Sequence, residues 1–247
     1  MRFSIITLFG ELIKPFFETS LLKRAIEKKL ISIEIINLRD FGIGKHKKVD
    51  DYPYGLSSGM ILMCEPLKKA LDSIDGDNKY VVLTSPSGVL LNQEIVEKNL
   101  AKKDHLVIIA GRYKGIDQRF IDKYVDLEIS IGDYILQGGE IPALIIVETV
   151  SRFVNGFLHS IDSAENDSFS KGFLDSPKYT RPKVFEGMEV PEILLSGNHK
   201  KIEEYEEYQS LKLTYKRRKD LLKNKDLTKR QKEIINKLKL EEKNGKT

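Results

Sequence analysis

The sequence is poor in cysteine and lacks any long hydrophobic run. Its single cysteine, Cys64, excludes an intrachain disulfide and any zinc site built from several cysteines. No run approaches the roughly 18 apolar residues that a membrane helix needs, and Glu11 ends the opening apolar stretch too early for a signal peptide. These absences predict a cytoplasmic protein with no membrane contact. Cys64 lies in the apolar run MILMC, which predicts a small core residue and not a nucleophile.

Several common site motifs are also absent. The chain has no GxGxxG fingerprint, no GxxxxGK phosphate loop and no HExxH zinc motif, and its four histidines show no metal-ligand spacing. One stretch, GLSSG at residues 55–59, matches the GxSxG nucleophile elbow of serine hydrolases. That elbow follows a buried central strand, whereas VDDYPY at residues 49–54 carries two acids and a proline. The context therefore disfavours a serine hydrolase.

The composition is that of a soluble globular protein with unevenly distributed charge. Of 247 residues, 40% are hydrophobic and 32% charged, which suits one large domain or one domain plus a smaller one. Residues 211–247 hold fourteen Lys and Arg against five Asp and Glu, a net +9, so the total of +4 leaves −5 for residues 1–210. A basic terminal segment favours a polyanion partner, most often nucleic acid. A lysine-rich helix surface that faces water would carry the same charge.

Apolar strands alternate with helices through the first two thirds of the chain. The pattern predicts strands over residues 3–8, 32–38, 79–84, 105–110 and 127–131. It predicts helices over residues 11–30 with a break at Pro15, 66–74, 92–102, from GRYKGID to about 124, and 143–157. Strands that are apolar almost throughout and alternate with helices indicate an α/β fold, with a parallel sheet covered on both faces.

The second part of the chain differs in character. Residues 159–172, HSIDSAENDSFSKG, are small and polar and predict a mobile linker. Residues 173–247 predict a small α-helical domain with amphipathic helices over 202–213 and 228–240, the latter with Thr228 as N-cap. The predicted organisation is therefore an α/β domain over residues 1–158, the linker, and the helical domain.

Three glycine-bearing loops follow predicted strands. They are SPSG at residues 85–88, GRYKGID at 111–117 and IGDYILQGGEIP at 131–142. Ligands of parallel sheets collect beyond the carboxyl ends of the strands, and glycine lets the backbone approach a ligand without a Cβ in the way. We therefore expect the three loops to form one pocket. Tight turns alone would also account for the glycines.

Two charged residues have both a surface and a catalytic interpretation. Arg152 follows the apolar helix, and Asp167 lies 15 residues later in the polar linker. A solvated surface charge is the default for each. A mobile linker that carries one acid beside an aromatic residue, here Phe169, is also typical of a catalytic lid.

Taken together, these motifs resemble a known family, the bacterial tRNA (guanine-N(1))-methyltransferases of the SPOUT class, called TrmD. The resemblance covers nearly the whole chain in the family's order. It is carried by VDDYPYG…GM (residues 49–60), SPSG, GRYKGID, EISIGDYILQGGEIPA (128–143), DSFSKGFLDSPKYTRP (167–182) and LLSGNH (194–199), and continues into QSL and RRKDLL up to residue 222.

The resemblance implies a SPOUT-type parallel sheet with a trefoil knot in its C-terminal part, which a general rule against knots would have excluded. It implies that S-adenosylmethionine binds in the knot loops of residues 1–158. It further implies a homodimer whose active sites are shared between subunits, and a tRNA-binding role for residues 173–247. The expected reaction is methylation of guanine nitrogen 1 at tRNA position 37, preceded by another guanosine, which gives 1-methylguanosine.

The resemblance also assigns roles to individual residues. Asp167 matches the family's general base, supplied from the linker of the partner subunit. Arg152 matches the residue that stabilises charge on guanine O6. The positions that match cofactor contacts are Leu83, Ser85, Pro86, Gly111, Tyr113, Ile131, Gly132, Tyr134, Leu136, Gly138, Gly139 and Pro142.

The chain departs from the family at several points. Lys114 stands in GRYKGID where the family usually has Glu. The resemblance implies dependence on Mg²⁺, and this change leaves the metal ligands unassigned. Residues 202–209, IEEYEEYQ, are acidic where relatives are often basic, so we expect less RNA binding there. Two alternatives stay open: a related SPOUT methyltransferase acting on another RNA position, and an RNA-binding relative that has lost catalysis.

Overall fold

The structure is a computed structural model that describes residues 1–55, 58–158, 167–223 and 225–245. The chain divides into two compact units, Met1–Ser160 and Ile161–Thr247. Each unit is described by itself below.

A five-stranded parallel sheet forms the centre of the first unit, in the order β2-β1-β6-β5-β7. This sheet confirms the predicted α/β class. Every pairing within it is parallel, and the three inner strands, β1, β6 and β5, are hydrogen-bonded along both edges. The strands are β1 (Arg2–Thr7), β2 (Ser32–Asn37), β5 (Lys79–Leu90), β6 (His105–Ala110) and β7 (Leu127–Ser130).

Helices cover both faces of this sheet. Alternate residues of β6 enter separate cores because successive strand side chains point to opposite faces. Leu106 and Ile108 pack in one core, while Val107 and Ile109 pack in the other. The helices of this unit are α1 (Gly10–Ile13), α2 (Ser20–Glu27), α3 (Cys64–Asp72), α4 (Gln93–Lys98), α5 (Gln118–Tyr124) and α6 (Glu140–Ser151).

The predicted helix over residues 11–30 is broken around its proline, as expected. Pro15 lies in a 3₁₀ turn, Lys14–Glu18, between α1 and α2. Because proline lacks the backbone N–H and fixes φ, it begins this turn and does not continue α1. Among the described residues, no helix is both long enough and apolar enough to cross a membrane.

The prediction of a strand that ends before SPSG is wrong in one respect. β5 continues through this loop to Leu90, and its pairing with β7 shifts between Thr84 and Val89, both of which pair with Ile129. The intervening residues form a bulge within one long strand. Pro86 and Gly88 suggested a strand end because both residues weaken a regular strand.

The bounds predicted for the long apolar helix are also wrong. α6 starts at Glu140 and ends at Ser151, with Gly139 as N-cap and Arg152 as C-cap. Eight of its residues are buried, including Glu140 and Pro142. The helix starts three residues before the predicted position because the buried charge of Glu140 has a partner elsewhere in the fold, described below.

The segment that carries GLSSG is not preceded by a central strand. Two short antiparallel strands, β3 (Asp50–Asp51) and β4 (Ile61–Leu62), flank it. Ser57, the serine of the motif, lies outside the described residues. The flanking residues therefore lack the strand-to-helix turn that a nucleophile elbow requires.

The second unit is mainly helical. Its helices are α7 (Glu192–Leu195), α8 (His199–Arg217) and α9 (Lys229–Lys243). α8 packs on α9 through Leu211, Tyr215, Ile235 and Leu238. The predicted N-cap, Thr228, is confirmed, because it forms a capping box with Gln231.

The purely helical prediction for this unit misses a small hairpin. Strands β8 (Val184–Phe185) and β9 (Met188–Glu189) pair antiparallel across a two-residue turn. The turn residues, Glu186 and Gly187, have φ of 50° and 79°. Two consecutive left-handed residues suit a tight hairpin turn.

Candidate active site

Thr84 within β5, the carboxyl end of β6 and the N-terminus of α6 meet at one point. The Thr84 hydroxyl donates a hydrogen bond to the Ile109 carbonyl at 3.1 Å and accepts one from the Gly111 N–H at 3.2 Å. The Gly139 N–H donates to the Gly111 carbonyl at 2.7 Å. Two of the three predicted loops, GRYKGID and the loop before α6, are therefore joined directly, and Thr84 links both to the strand that carries SPSG.

Two glycines here are required by contacts within the protein. A Cβ at Gly139 would lie 1.8 Å from Thr84 Oγ1 and 2.6 Å from the Gly111 nitrogen. A Cβ at Gly88 would lie 2.4 Å from the backbone of Glu128 and Ile129. Real Cβ atoms do not approach this closely, so the chain passes against itself at both points.

A buried ion pair lies beneath the loop that precedes α6. Arg112 Nη2 and Glu140 Oε2 are 3.1 Å apart, and the two side chains are only 14% and 3% exposed. Glu140 Oε1 also accepts hydrogen bonds from Arg112 Nε at 3.1 Å and from the Thr7 hydroxyl at 2.9 Å. Arg112 Nη1 donates to the Gln137 carbonyl at 3.2 Å, and its guanidinium lies 4.2 Å from the centre of the Phe9 ring. Sequence reasoning did not identify this pair.

The loop over residues 131–138 presents apolar side chains to solvent. Tyr134, Ile135 and Leu136 are 55%, 81% and 42% exposed. Within the described part of the chain, the N–H groups of residues 135–138 make no hydrogen bond. Gly132 has φ of 150°, a conformation that favours glycine. Such a surface can bind a flat ring together with hydrogen-bond acceptors.

The GRYKGID loop combines an unusual backbone with a fixed acid. Tyr113 is 48% exposed and has φ of 59°. Burial of its hydroxyl, with a smaller contribution from Asp50, raises the pKa of Tyr113. Asp117 caps α5, and its hydrogen bond from the Arg119 side chain holds the pKa of the carboxyl far below its usual range. Asp117 is therefore a structural cap and is ionised at neutral pH.

Comparison with known proteins identifies relatives across the whole chain. Residues 1–224 match the family described as tRNA (Guanine-1)-methyltransferase TrmD. A protein of Dictyoglomus turgidum named tRNA (guanine-N(1)-)-methyltransferase is 48% identical over 241 residues, which is 98% of each chain. A protein of the same name from Fusobacterium nucleatum is 45% identical over 242 residues, 98% of this chain and all of the relative.

The chain belongs to the TrmD family. The resemblance noted from the motifs is thereby confirmed, and it extends over nearly the full length of both relatives.

The positions that match TrmD cofactor contacts fall into two groups in this structure. One group is exposed or half-buried at the ends of the strands: Ser85, Pro86, Gly111, Tyr113, Ile131, Gly132, Tyr134, Leu136 and Gly138. The other group is buried beneath them: Leu83, Gly139 and Pro142. The first group can contact a ligand directly. The second supports it, since Gly139 contacts the ends of both β5 and β6.

The two residues matched to TrmD catalytic positions lie in different units. Arg152 caps the C-terminus of α6 and is half-buried. Asp167 is exposed, and its carbonyl accepts a hydrogen bond from the Ser170 N–H at 3.4 Å. The first part of the predicted linker, residues 159–166, lies outside the described residues.

The structure does not support the Mg²⁺ expected from the TrmD resemblance. In the part of the chain that is described, no group of three or more His, Cys, Asp or Glu side chains could hold a metal ion. Lys114 is exposed, and its aliphatic chain packs beside Gly59. Cys64 is half-buried, and burial raises the pKa of its thiol, which keeps it protonated.

Proposed function

We propose that this protein transfers a methyl group from S-adenosylmethionine to guanine nitrogen 1 at position 37 of tRNA. The product would be 1-methylguanosine, in tRNAs with a second guanosine before position 37. The proposal rests on the contacts among Thr84, Gly111 and Gly139. These contacts join GRYKGID to the loop before α6 and link both to β5, the strand that carries SPSG. The chain in which they occur belongs to the TrmD family.

The strand-end surface fits an adenosine-bearing methyl donor. Tyr134 and Leu136 offer apolar contact for an adenine ring, and the N–H groups of residues 135–138 offer hydrogen bonds to its edge. The exposed Tyr113 lies on the adjoining loop. When bound there, S-adenosylmethionine supplies a methyl group already activated by its sulfonium charge, so the protein's main task is to orient the attacking atom.

The proposed chemistry needs one base and one cation. Guanine nitrogen 1 carries a proton and is a poor nucleophile until that proton leaves. A carboxylate within hydrogen-bond reach can accept it, and Asp167 is assigned this role. Negative charge then accumulates on guanine O6, where a guanidinium stabilises it. Arg152 is assigned this second role, and both assignments follow the family's motifs.

The second unit is proposed to hold the tRNA. Its acidic stretch is partly neutralised within the unit, because Glu204 and Glu207 share Arg230 at 3.4 and 3.3 Å and Glu206 pairs with Lys178 at 3.1 Å. Three exposed lysines lie on one face of α9: Lys232, Lys239 and Lys243. They share this face because their spacings of seven and four residues correspond to two turns and one turn of a helix. Such a stripe can contact a phosphate backbone. Extruding the target base costs a few kcal/mol, which these contacts would offset.

We propose a trefoil knot and a homodimer as part of the same function. The close passage of Gly139 against Thr84 of β5 and against Ala110 and Gly111 at the end of β6 fits a chain threaded through its own loops. In the homodimer, Asp167 would act on a base bound at the partner's strand-end loops. The protein would act in the cytoplasm, where the proposed substrate is processed.

The proposal is tested with purified protein, a methyl-labelled donor and an anticodon stem-loop RNA. Calorimetry should show binding of S-adenosylmethionine, and the RNA with guanosine 37 should gain one methyl group per molecule. The matched RNA with adenosine 37 should gain none. Donor binding without methyl transfer, even in single-turnover conditions, would favour the RNA-binding relative that has lost catalysis. Transfer to another nucleotide would favour a SPOUT methyltransferase with a different target.

A further inference from the structure

Beneath the proposed donor site, Glu140 and Arg112 join three segments of the chain. The segments are the end of β1 with Thr7 and Phe9, the start of GRYKGID with Arg112, and the loop over residues 137–140. The Thr7 hydroxyl donates to Glu140 at 2.9 Å and accepts from the Phe9 N–H at 3.0 Å. Arg112 pairs with Glu140 and also reaches the Gln137 carbonyl.

We propose that Glu140 and Arg112 are positioning residues for the methyl donor. This inference rests on the proposed function, since the loop they hold is the proposed donor site. Through this pair, residues 131–139 are held against the end of β6 in the shape that presents the N–H groups of residues 135–138 to the ligand. Neither side chain is proposed to touch the donor or the guanine.

The arrangement of bonds supports positioning of the loop. The bond from Arg112 to the Gln137 carbonyl fastens the backbone of the exposed loop, and Arg112 pairs with Gly138 in an antiparallel bridge. Leaving a buried carboxylate without its partner costs much more free energy than the intact pair contributes, so each of the two side chains needs the other. The loop can therefore keep this path only while the pair is intact.

The position of Gly138 is a second observation in favour of the proposal. A Cβ at Gly138 would lie 2.2 Å from Arg112 Nε and 2.5 Å from Glu140 Oε2. The glycine lies flat on the ion pair, and any side chain there would displace one of its members. The lack of a side chain at Gly138 is thus required by the pair as well as by any ligand above it.

The chain contains a matched control at the opposite end of β1. Glu34 pairs with Arg2 at 2.7 Å and accepts a hydrogen bond from the Ser4 hydroxyl at 3.1 Å. Like Glu140, it is a carboxylate held by one arginine and one β1 hydroxyl. It lies at the amino end of the sheet, far along the strands from the proposed donor site, and its side chain is 44% exposed against 3% for Glu140. Glu34→Gln therefore controls for the loss of a contact among Glu, Arg and a β1 hydroxyl without touching the loop.

The first experiment measures amide hydrogen exchange in residues 131–139 with no donor present. Glu140→Gln should speed exchange of this segment, including the Gly139 N–H that bonds to Gly111, while Glu34→Gln should leave it unchanged. Equal exchange in both variants would overturn the proposal. Because no donor is used, this result stands even if the wild-type protein binds no S-adenosylmethionine, an outcome that would refute only the proposed function.

The second experiment separates positioning from a general loss of stability. Glu140→Gln should weaken donor binding about tenfold and raise the KM for the donor similarly, with the KM for tRNA unchanged. Arg112→Lys keeps the charge but loses the forked contact, so it should fall between Glu140→Gln and wild type. If Glu140→Gln does not fold, Thr7→Val takes its place in the experiment, because it removes only the hydroxyl that donates to Glu140. Donor affinities equal to that of Glu34→Gln in all three variants would overturn the proposal.

Discussion

Substituting Gly139 by alanine probes the point where the chain passes closest to itself. The new Cβ would lie 1.8 Å from Thr84 Oγ1, 2.6 Å from the Gly111 nitrogen and 2.9 Å from Ala110 Cα. The last two are backbone atoms and cannot rotate away. Thr84 Oγ1 could move only by giving up its bonds to Ile109 and Gly111. The residue's own φ is −85°, so the substitution adds steric conflict and no backbone strain.

The expected loss of stability follows from these contacts. Overpacking a tight site costs about 1–3 kcal/mol, and each lost hydrogen bond adds about 1 kcal/mol. We therefore expect about 3–5 kcal/mol, with two Thr84 bonds lost, which lowers the melting temperature of a unit of this size by roughly 6–20 °C. Thermal unfolding followed by circular dichroism measures the shift.

Gly44→Ala provides the control for this substitution. Gly44 has φ of 70°, and a Cβ at this position would have no atom within 4 Å, so alanine there costs only the strain of a left-handed backbone, about 1–2 kcal/mol. Its melting temperature should fall less than that of Gly139→Ala. A Gly139→Ala protein as stable as wild type would show that the ends of β5 and β6 do not approach α6 as described.

Four further predictions follow from the site and the core. Asp167→Asn should abolish nearly all methyl transfer while leaving donor binding unchanged, and retained turnover would show that another group takes the proton. Gly132→Ala should impair donor binding, because its Cβ would lie 2.4 Å from the Tyr134 ring. If sites are shared across a twofold axis, a randomly reassorted equimolar mixture of this variant with Asp167→Asn should regain about a quarter of the wild-type activity, because about half of the dimers are mixed and each holds one intact site. No recovery would contradict the sharing. Burial lowers the pKa of His105, and Arg2 and Lys79 add to the effect, so only the unfolded chain gains a proton as pH falls below about 6.5; stability to urea should drop over that range, and an equal drop in His105→Gln would contradict this cause. Within the described residues, the buried Ser151 hydroxyl has no hydrogen-bond partner, so Ser151→Ala should raise the free energy of unfolding by about 1 kcal/mol, and a loss of stability would contradict that.

The sequence pattern predicted those features that depend on residues close together in the chain. The strand His105–Ala110 was predicted with its observed bounds, because HLVIIA is apolar throughout and polar residues precede it. Thr228 was predicted as an N-cap from its place before an amphipathic run, and the capping box with Gln231 uses only residues within one turn. All three loops were predicted to share one pocket because parallel strands end at the same edge of the sheet. The structure joins GRYKGID to the loop before α6 through the Gly139–Gly111 bond, whereas SPSG lies within β5.

Contacts distant in sequence explain what was missed. β5 runs past Pro86 and Gly88 because it pairs with β7, which lies about forty residues further on. α6 begins at a buried Glu140 because Arg112, 28 residues earlier, neutralises it. No periodicity within either segment contains this information. The glycines of the strand-end loops were assigned to a ligand, and Gly139 and Gly88 are required first by the protein's own backbone.

The catalytic assignments for Asp167 and Arg152 came from the family's motifs and not from local pattern. An acid in a polar linker and an arginine at a helix end have the same appearance as ordinary surface charges. In the structure, the first lies in the second unit and the other caps α6 in the first. The role of Asp167 is therefore tested by the kinetics of Asp167→Asn.

The central claim is that the strand-end loops deliver an activated methyl group to one nitrogen of one tRNA nucleotide. The most direct measurement uses a full-length tRNA transcript with guanosines at positions 36 and 37 and a donor with an isotopically labelled methyl group. Nuclease digestion followed by mass spectrometry should find the label only in 1-methylguanosine at position 37. Label at any other nucleotide, or unlabelled RNA under conditions in which donor and RNA both bind, would contradict the claim.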